Sequence, residues 1–272
     1  MCHDNTNALL QRDNTMTEWT AFPHAGDYAF DAASVKKNWL HLHQGDLEPL
    51  PHEPAVLQGW VWFHNGEFQK AAEAGLLAGG HGITVANRAT CVYANYLEGH
   101  EKTKLALFLE VAKRAEAQQM ADPNNANAWF WQAYALGRYS QSISVTKALA
   151  QGLGSKVKQA LEQTIRLSPS HAHAHVALAA FHAEVIDKVG ALIGGMIHGA
   201  KKGLGLALYE EALRLKPGSA IAMVEYARGL VMLEGDPAIE QATRLYEQAA
   251  ASAPLDANER LAVDLAAREL QD

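Results

Sequence analysis

Residues 168–182, SPSHAHAHVALAAFH, place four histidines within fifteen positions. Imidazole nitrogens are the commonest protein ligands of zinc and its neighbours, so metal binding is the first chemistry to weigh. In helical register His171, His175 and His182 fall on one narrow stripe. His171 and His182 are nonetheless about 16 Å apart along the axis and cannot share an ion. His171 and His175, an i, i+4 pair, can. No glutamate follows the first of them as in His-Glu-x-x-His, and two ligands fall short of the three or four that a zinc site takes. The His171/His175 pair therefore stands as an alternative reading behind a structural one, and the expected metal and cofactor content is none. There is also no Gly-x-Ser-x-Gly elbow, no Gly-Lys-Ser/Thr phosphate loop and no paired-carboxylate motif. Cys91 lies in the apolar stretch ATCVYANYL, where an inert buried thiol is expected rather than a nucleophile. No catalytic constellation emerges, and the chain is expected not to be an enzyme.

The elements that hold these side chains belong to a chain of 272 residues, enough for one large core or two ordinary ones. Apolar residues make up 49% and charged residues 19%, a globular composition. The formal net charge of −7 supplies no basic field for nucleic acid or for anionic lipid. Two cysteines, Cys2 and Cys91, exclude a disulfide framework and a cysteine-based metal motif. The opening MCHDNTNALLQRDNTMTEW has neither the basic nor the apolar part of an export signal. No apolar run approaches the ~18–20 residues that cross a bilayer, so a cytoplasmic protein without stable membrane insertion is expected. Residues 1–15 are polar and aperiodic, Met16 offers an alternative start, and 1–27 as a whole reads as a disordered extension.

Strand signals are nearly absent. Segments such as EKTKLALFLEVAKRAEAQQMA (101–121) and SKVKQALEQTIRLS (155–168) repeat their apolar residues every three or four positions, the pattern of amphipathic helices. The breaks between them are periodic. Pro123, Pro169, Pro217 and Pro254 are each followed three residues later by alanine: Ala126, Ala172, Ala220 and Ala257. Proline pushes the residue before it out of the helical region and so ends one helix. A polar residue then caps the next, whose alanines allow close approach of a neighbour.

Further along each unit the spacing of small and large residues is kept. After Ala220 come Tyr226, Ala227 and Leu230, then Ala242, Tyr246, Ala249 and Pro254. The preceding unit has Ala172, Leu178 and Ala179, then Gly205, Tyr209, Ala212 and Pro217. The 123–169 unit fits on its first helix, at Ala126, Trp129, Ala133 and Leu136, and poorly on its second. This resembles the tetratricopeptide repeat of paired antiparallel helices, stretched to 37, 48 and 46 residues, with the extra residues of the two longest units placed between the halves. Together with DPNNANAWFWQAYALGRYS, QALEQTIRLSP and GGMIHGAKKG, the insertions make 84–252 similar to a narrower family. This is the bacterial relatives of the regulator of microtubule dynamics proteins, which are similar to the T component of some TRAP transporters. The resemblance implies an all-α superhelix of antiparallel helix pairs over 84–272, continuous with degenerate capping hairpins over 28–83.

The resemblance also implies that the first helix of each pair lines a concave surface. By register that surface holds Asn127, Phe130 and Tyr134; His173, Val176 and Ala180; and Ile221, Val224, Arg228 and Val231, with Arg138 on the same side. Arginine forks a carboxylate with paired hydrogen bonds and aromatic rings offer apolar contact beside it, so a carboxylate-bearing peptide of a partner protein is the expected ligand. A small-ligand accessory role beside a transporter, as in the T component, is the alternative. Trp39, Trp60, Trp62, Trp129 and Trp131 read as packing residues, one or two of them edging a pocket. The glycine-rich stretch VGALIGGMIHGAKKGLGLAL (189–208) has the four-residue glycine spacing of packed membrane helices, but its uncharged run is twelve residues long, and a buried elbow is expected.

Overall fold

The computed structural model describes residues 18–271, which form fourteen α-helices and one short 3-10 turn, with no strand among the described residues. Five antiparallel pairs follow one another: α2 (Pro54–His64) with α3 (Phe68–Ala78), α4 (Gly82–Tyr96) with α5 (Glu101–Ala121), α6 (Ala126–Gln141) with α8 (Leu153–Leu167), α9 (Ala172–Val189) with α11 (Lys202–Leu215), and α12 (Ala220–Glu234) with α13 (Ile239–Ala250). A leading helix, α1 (Ala32–Leu42), and a closing helix, α14 (Ala257–Glu269), complete the superhelix. Two short helices, α7 (Val145–Ala150) and α10 (Ala191–His198), lie inside the third and fourth pairs.

The proline-to-alanine template sets the helix starts. Helices α6, α9, α12 and α14 begin at Ala126, Ala172, Ala220 and Ala257. The side chains of Asn125, His171, Ser219 and Asp256 accept from the N–H groups of Ala128, Ala174, Ala222 and Glu259. Each cap satisfies an amide that the helix itself leaves free. His171 is thus a capping residue, in the register of Asn125 and Ser219.

Small residues then let the helices touch. Ala133, Ala179, Ala227 and Ala249 are at most 1% exposed. A Cβ at Gly229 would run into the Tyr209 ring, and one at Gly75 into the backbone of Gly82 and Ala86 across the α3–α4 contact.

The two ends of the superhelix meet. His64 Nδ1 donates to Asp256 at 2.7 Å, tying the end of α2 to the cap of α14. His24 Nε2 lies 2.6 Å from Asp264 of α14. Ala257 and Leu261 are buried in the same core as Trp39, Trp60 and Phe63. Burial pushes the Asp256 carboxyl up, but the hydrogen bond and charge of His64, with the charge of Arg88, outweigh it and hold the group below its usual range.

Three expectations are corrected. Residues 18–27, read as part of a disordered extension, pack on the fold: Trp19 stacks on Tyr93 at 4.1 Å and Phe22 is buried. Residues 1–17 lie outside the described residues. Within 28–83, only α2 and α3 form a hairpin, covering α4; α1 and the loop after it turn into the concave side instead. The glycine-rich elbow is not buried. Gly194 packs against Val185 and Ala200, while Leu192, Ile193, Met196 and Ile197 of α10 are 77%, 51%, 80% and 61% exposed. The glycine side of α10 faces the protein, which leaves its bulky apolar side outward.

Ala227 and Ala249 have no room for growth. Replacing either with leucine is expected to cost about 1–3 kcal/mol by overpacking. Glu240→Gln, at an exposed carboxylate paired only with Arg244, is expected to stay within about 0.5 kcal/mol. Chemical denaturation of the three variants checks this, and equal effects would contradict the packing described.

Candidate binding groove on the concave face

The loop after α1 lies in the concavity, and backbone groups hold it there. The His173 amide, free at the start of α9, donates to the Gly45 carbonyl at 3.0 Å. Asn127 Nδ2 of α6 donates to the Asp46 carbonyl at 3.1 Å and to Glu48 Oε2 at 2.6 Å. His171 Nδ1 accepts from Ala174, so Nε2 carries the proton that it gives to Asn127 Oδ1 at 2.9 Å. A Cβ at Gly45 would collide with the His173 ring, so only glycine lets the loop lie this close.

The side chains beneath the loop are charged and sealed. Arg88 of α4 pairs with the Asp46 carboxylate, whose other oxygen lies 3.0 Å from His43 Nδ1. Arg88 also lies over the Phe63 and Trp60 rings, at 4.7 and 5.6 Å. Burial pushes the Asp46 carboxyl up, but the Arg88 charge and the hydrogen bond of His43 win and hold it well below the usual carboxylate range. Glu48 has no cation of its own. Burial and the nearby Asp46 charge push it up to about 8, so it is neutral and accepts from Asn127. Burial likewise pushes His43 and His171 down to about 4, which keeps both imidazoles neutral.

Beyond the loop the concavity opens into a cavity of about 340 Å³. Phe130, Trp131 and Tyr134 of α6, Val157 and Leu161 of α8, and Val176, Ala180 and Phe181 of α9 make its apolar walls. The residues between the halves of the two longest units form its rim, through Leu149 of α7 and Ile197 of α10. At the far edge Arg138 bonds Glu225 of α12 at 2.5 Å and lies 5.2 Å from the Tyr134 ring centre.

Of the residues expected in the groove, Phe130, Tyr134, Arg138, His173, Val176 and Ile221 line this cavity. Arg228 borders the adjoining cleft with Arg138 and Glu225, and bonds Glu269 at 2.6 Å. Asn127 is covered by the loop, and Val224 is buried with Ala262, Val263 and Ala266 of α14. These two therefore hold the protein's own chain. Neither arginine is left without a carboxylate, because Glu225 and Glu269 are brought in from α12 and α14. Trp131, one of the tryptophans read as packing residues that edge a pocket, lines the cavity, whereas Arg88 and the rim residues were missed. The one signal for the rim was that two long units carry their extra residues at the same point.

Cys91 and the His171/His175 pair, the candidates for nucleophilic and metal chemistry, occupy structural positions. Cys91 is fully buried, which pushes its thiol far above the ordinary range. His171 and His175 do not aim at a common point: His175 Nε2 meets the Pro169 carbonyl at 2.9 Å while His171 faces Asn127. No group of three His, Cys, Asp or Glu side chains converges among the described residues.

No family model and no curated protein matches the chain. Among solved structures it is similar to a thermophilic TPR protein of Thermus thermophilus, with a TM-score of 0.55 and 15% identity over 79% of this chain and 97% of that one. The likeness concerns the fold: an all-α solenoid of tetratricopeptide-like helix pairs.

The buried acid gives a pH signature. A carboxyl raised from 4.5 to about 8 by folding contributes stability that is lost as pH rises through that window. Glu48→Gln keeps an oxygen for Asn127 and removes the titration. Its stability relative to wild type is expected to grow by about 1 kcal/mol or more between about pH 5 and about pH 8. Urea denaturation at both values checks this, and a difference independent of pH would contradict the buried neutral acid.

Proposed function

We propose that the chain is a non-enzymatic binding protein whose concave cavity takes a bulky apolar side chain from an extended segment of a partner protein. The observation that carries this is the loop at residues 43–50. The concave face already holds a turn of the chain's own backbone, at residues 43–46, through the Asn127 side chain and the His173 amide, and the cavity lies beside it on the same surface. Extended peptides are recognised in this way, by main-chain hydrogen bonds with pockets for single side chains. Arg138 already has Glu225, so a carboxylate on the partner would have to displace it, and apolar contact leads the recognition.

A second reading has its own support. The cavity is rimmed by two short helices and walled by aromatic residues, as a pocket for a small apolar molecule would be. This is the accessory role that the resemblance to the transporter T component implies. A cytoplasmic location belongs to the first reading and not to the second.

Ala180→Trp fills the cavity from α9 without touching the loop. Selection of displayed random peptides on the immobilised protein is expected to enrich sequences with one bulky apolar residue, and Ala180→Trp of equal thermal stability is expected to lose that enrichment at least about tenfold. Enrichment unchanged by the variant would remove the cavity from recognition. Native mass spectrometry of freshly purified protein separates the readings, since a bound small molecule absent from Ala180→Trp would favour the second.

A further inference from the structure

The outward face of α10 gathers four exposed large apolar side chains within one short helix. Leu192, Ile193, Met196 and Ile197 stand out from an eight-residue helix, and a contiguous exposed patch of this kind marks an interaction site. The charge around it differs from that of the whole chain. Segments 145–161 and 188–209 hold six lysines and no aspartate or glutamate, in a chain of net charge −7. Both segments meet at this rim: Gly154 lies against the His198 ring, and Lys158 Nζ lies against Gly199.

Half of these lysines are available for a ligand. Lys158, Lys188 and Lys202 have carboxylate neighbours at 3.6, 4.0 and 2.6 Å, all outside the two segments. Lys147, Lys156 and Lys201 form no ion pair among the described residues.

We infer that α10 and its lysines dock on an anionic lipid surface, with the four apolar side chains entering the headgroup boundary and the lysines facing the lipid charges. A short apolar helix edged by lysine is the composition that lies in an interface rather than across a membrane. No helix among the described residues is long and apolar enough to cross one. An apolar protein partner would not call for the unpaired Lys147, Lys156 and Lys201 beside the patch, and a second copy would bring those same positive charges face to face.

Flotation with vesicles of phosphatidylcholine, with and without about one third phosphatidylglycerol, tests this on the full chain. Binding is expected only to the anionic vesicles, and it is expected to weaken at least about tenfold between about 0.1 M and about 1 M salt. Leu192→Glu/Met196→Glu and Lys156→Glu/Lys201→Glu, all at exposed or rim positions, are expected to abolish it with unchanged helicity and melting. Absence of binding by the wild-type protein, or binding undiminished in either variant, overturns the inference. So does self-association by light scattering that Leu192→Glu/Met196→Glu removes in a protein that does not bind vesicles, because the patch then belongs to a second copy.

Discussion

One loop of eight residues, held from below by a buried ion pair, sets the shape of the concave face. The carboxylate of Asp46 is neutralised by Arg88 of α4, its carbonyl is taken by Asn127 of α6, and the carbonyl of the preceding Gly45 is taken by the amide of His173 on α9. Three successive first helices are thus tied to one short piece of backbone. Taking Asp46 and Arg88 out of water is costly, and removing one partner of such a pair exposes that cost at about 3–5 kcal/mol. The arrangement holds because both carboxylate oxygens and the carbonyl oxygen of Asp46 have partners. The neighbouring Glu48, which has no cation, stays protonated instead.

The rest of the interior follows from that clamp. With the loop seated, α1 and α2 lie close enough to α14 for His64 to reach the cap residue Asp256, and the superhelix closes through a shared apolar core. The same seating divides the concavity. The half under the loop is polar and sealed, and the half beyond it stays apolar and open, bounded by the aromatic residues of α6. Recognition is therefore confined to the part of the groove that the chain does not use on itself.

The repeat was legible in the sequence because it rests on local chemistry. A proline, a capping side chain and an alanine three residues later act within one turn, and all four predicted helix starts lie where the template puts them. The register also placed Phe130, Tyr134, Arg138 and Val176 around one cavity, although it could not show that Glu225 occupies Arg138. That pairing, like the seating of Gly45 on His173, joins residues far apart in sequence and leaves no periodic trace. The elbow at α10 misled for a related reason. Glycine spacing reveals a side of close approach, but not whether the residues between the glycines find a cover. Net charge misled in the same manner, since a sum of −7 conceals six lysines gathered at one rim.

Amide hydrogen exchange at one position tests the central claim most directly. His173 and Ile221 occupy the same place in the first turns of α9 and α12, where the helix offers the amide no partner. The His173 amide alone of the two has a carbonyl, that of Gly45, across the groove. Protection of His173 well above that of Ile221, lost on Gly45→Val, is the predicted result. Equal, fast exchange at both amides in the wild-type protein would contradict the account, because the loop would then not be seated on the concave face.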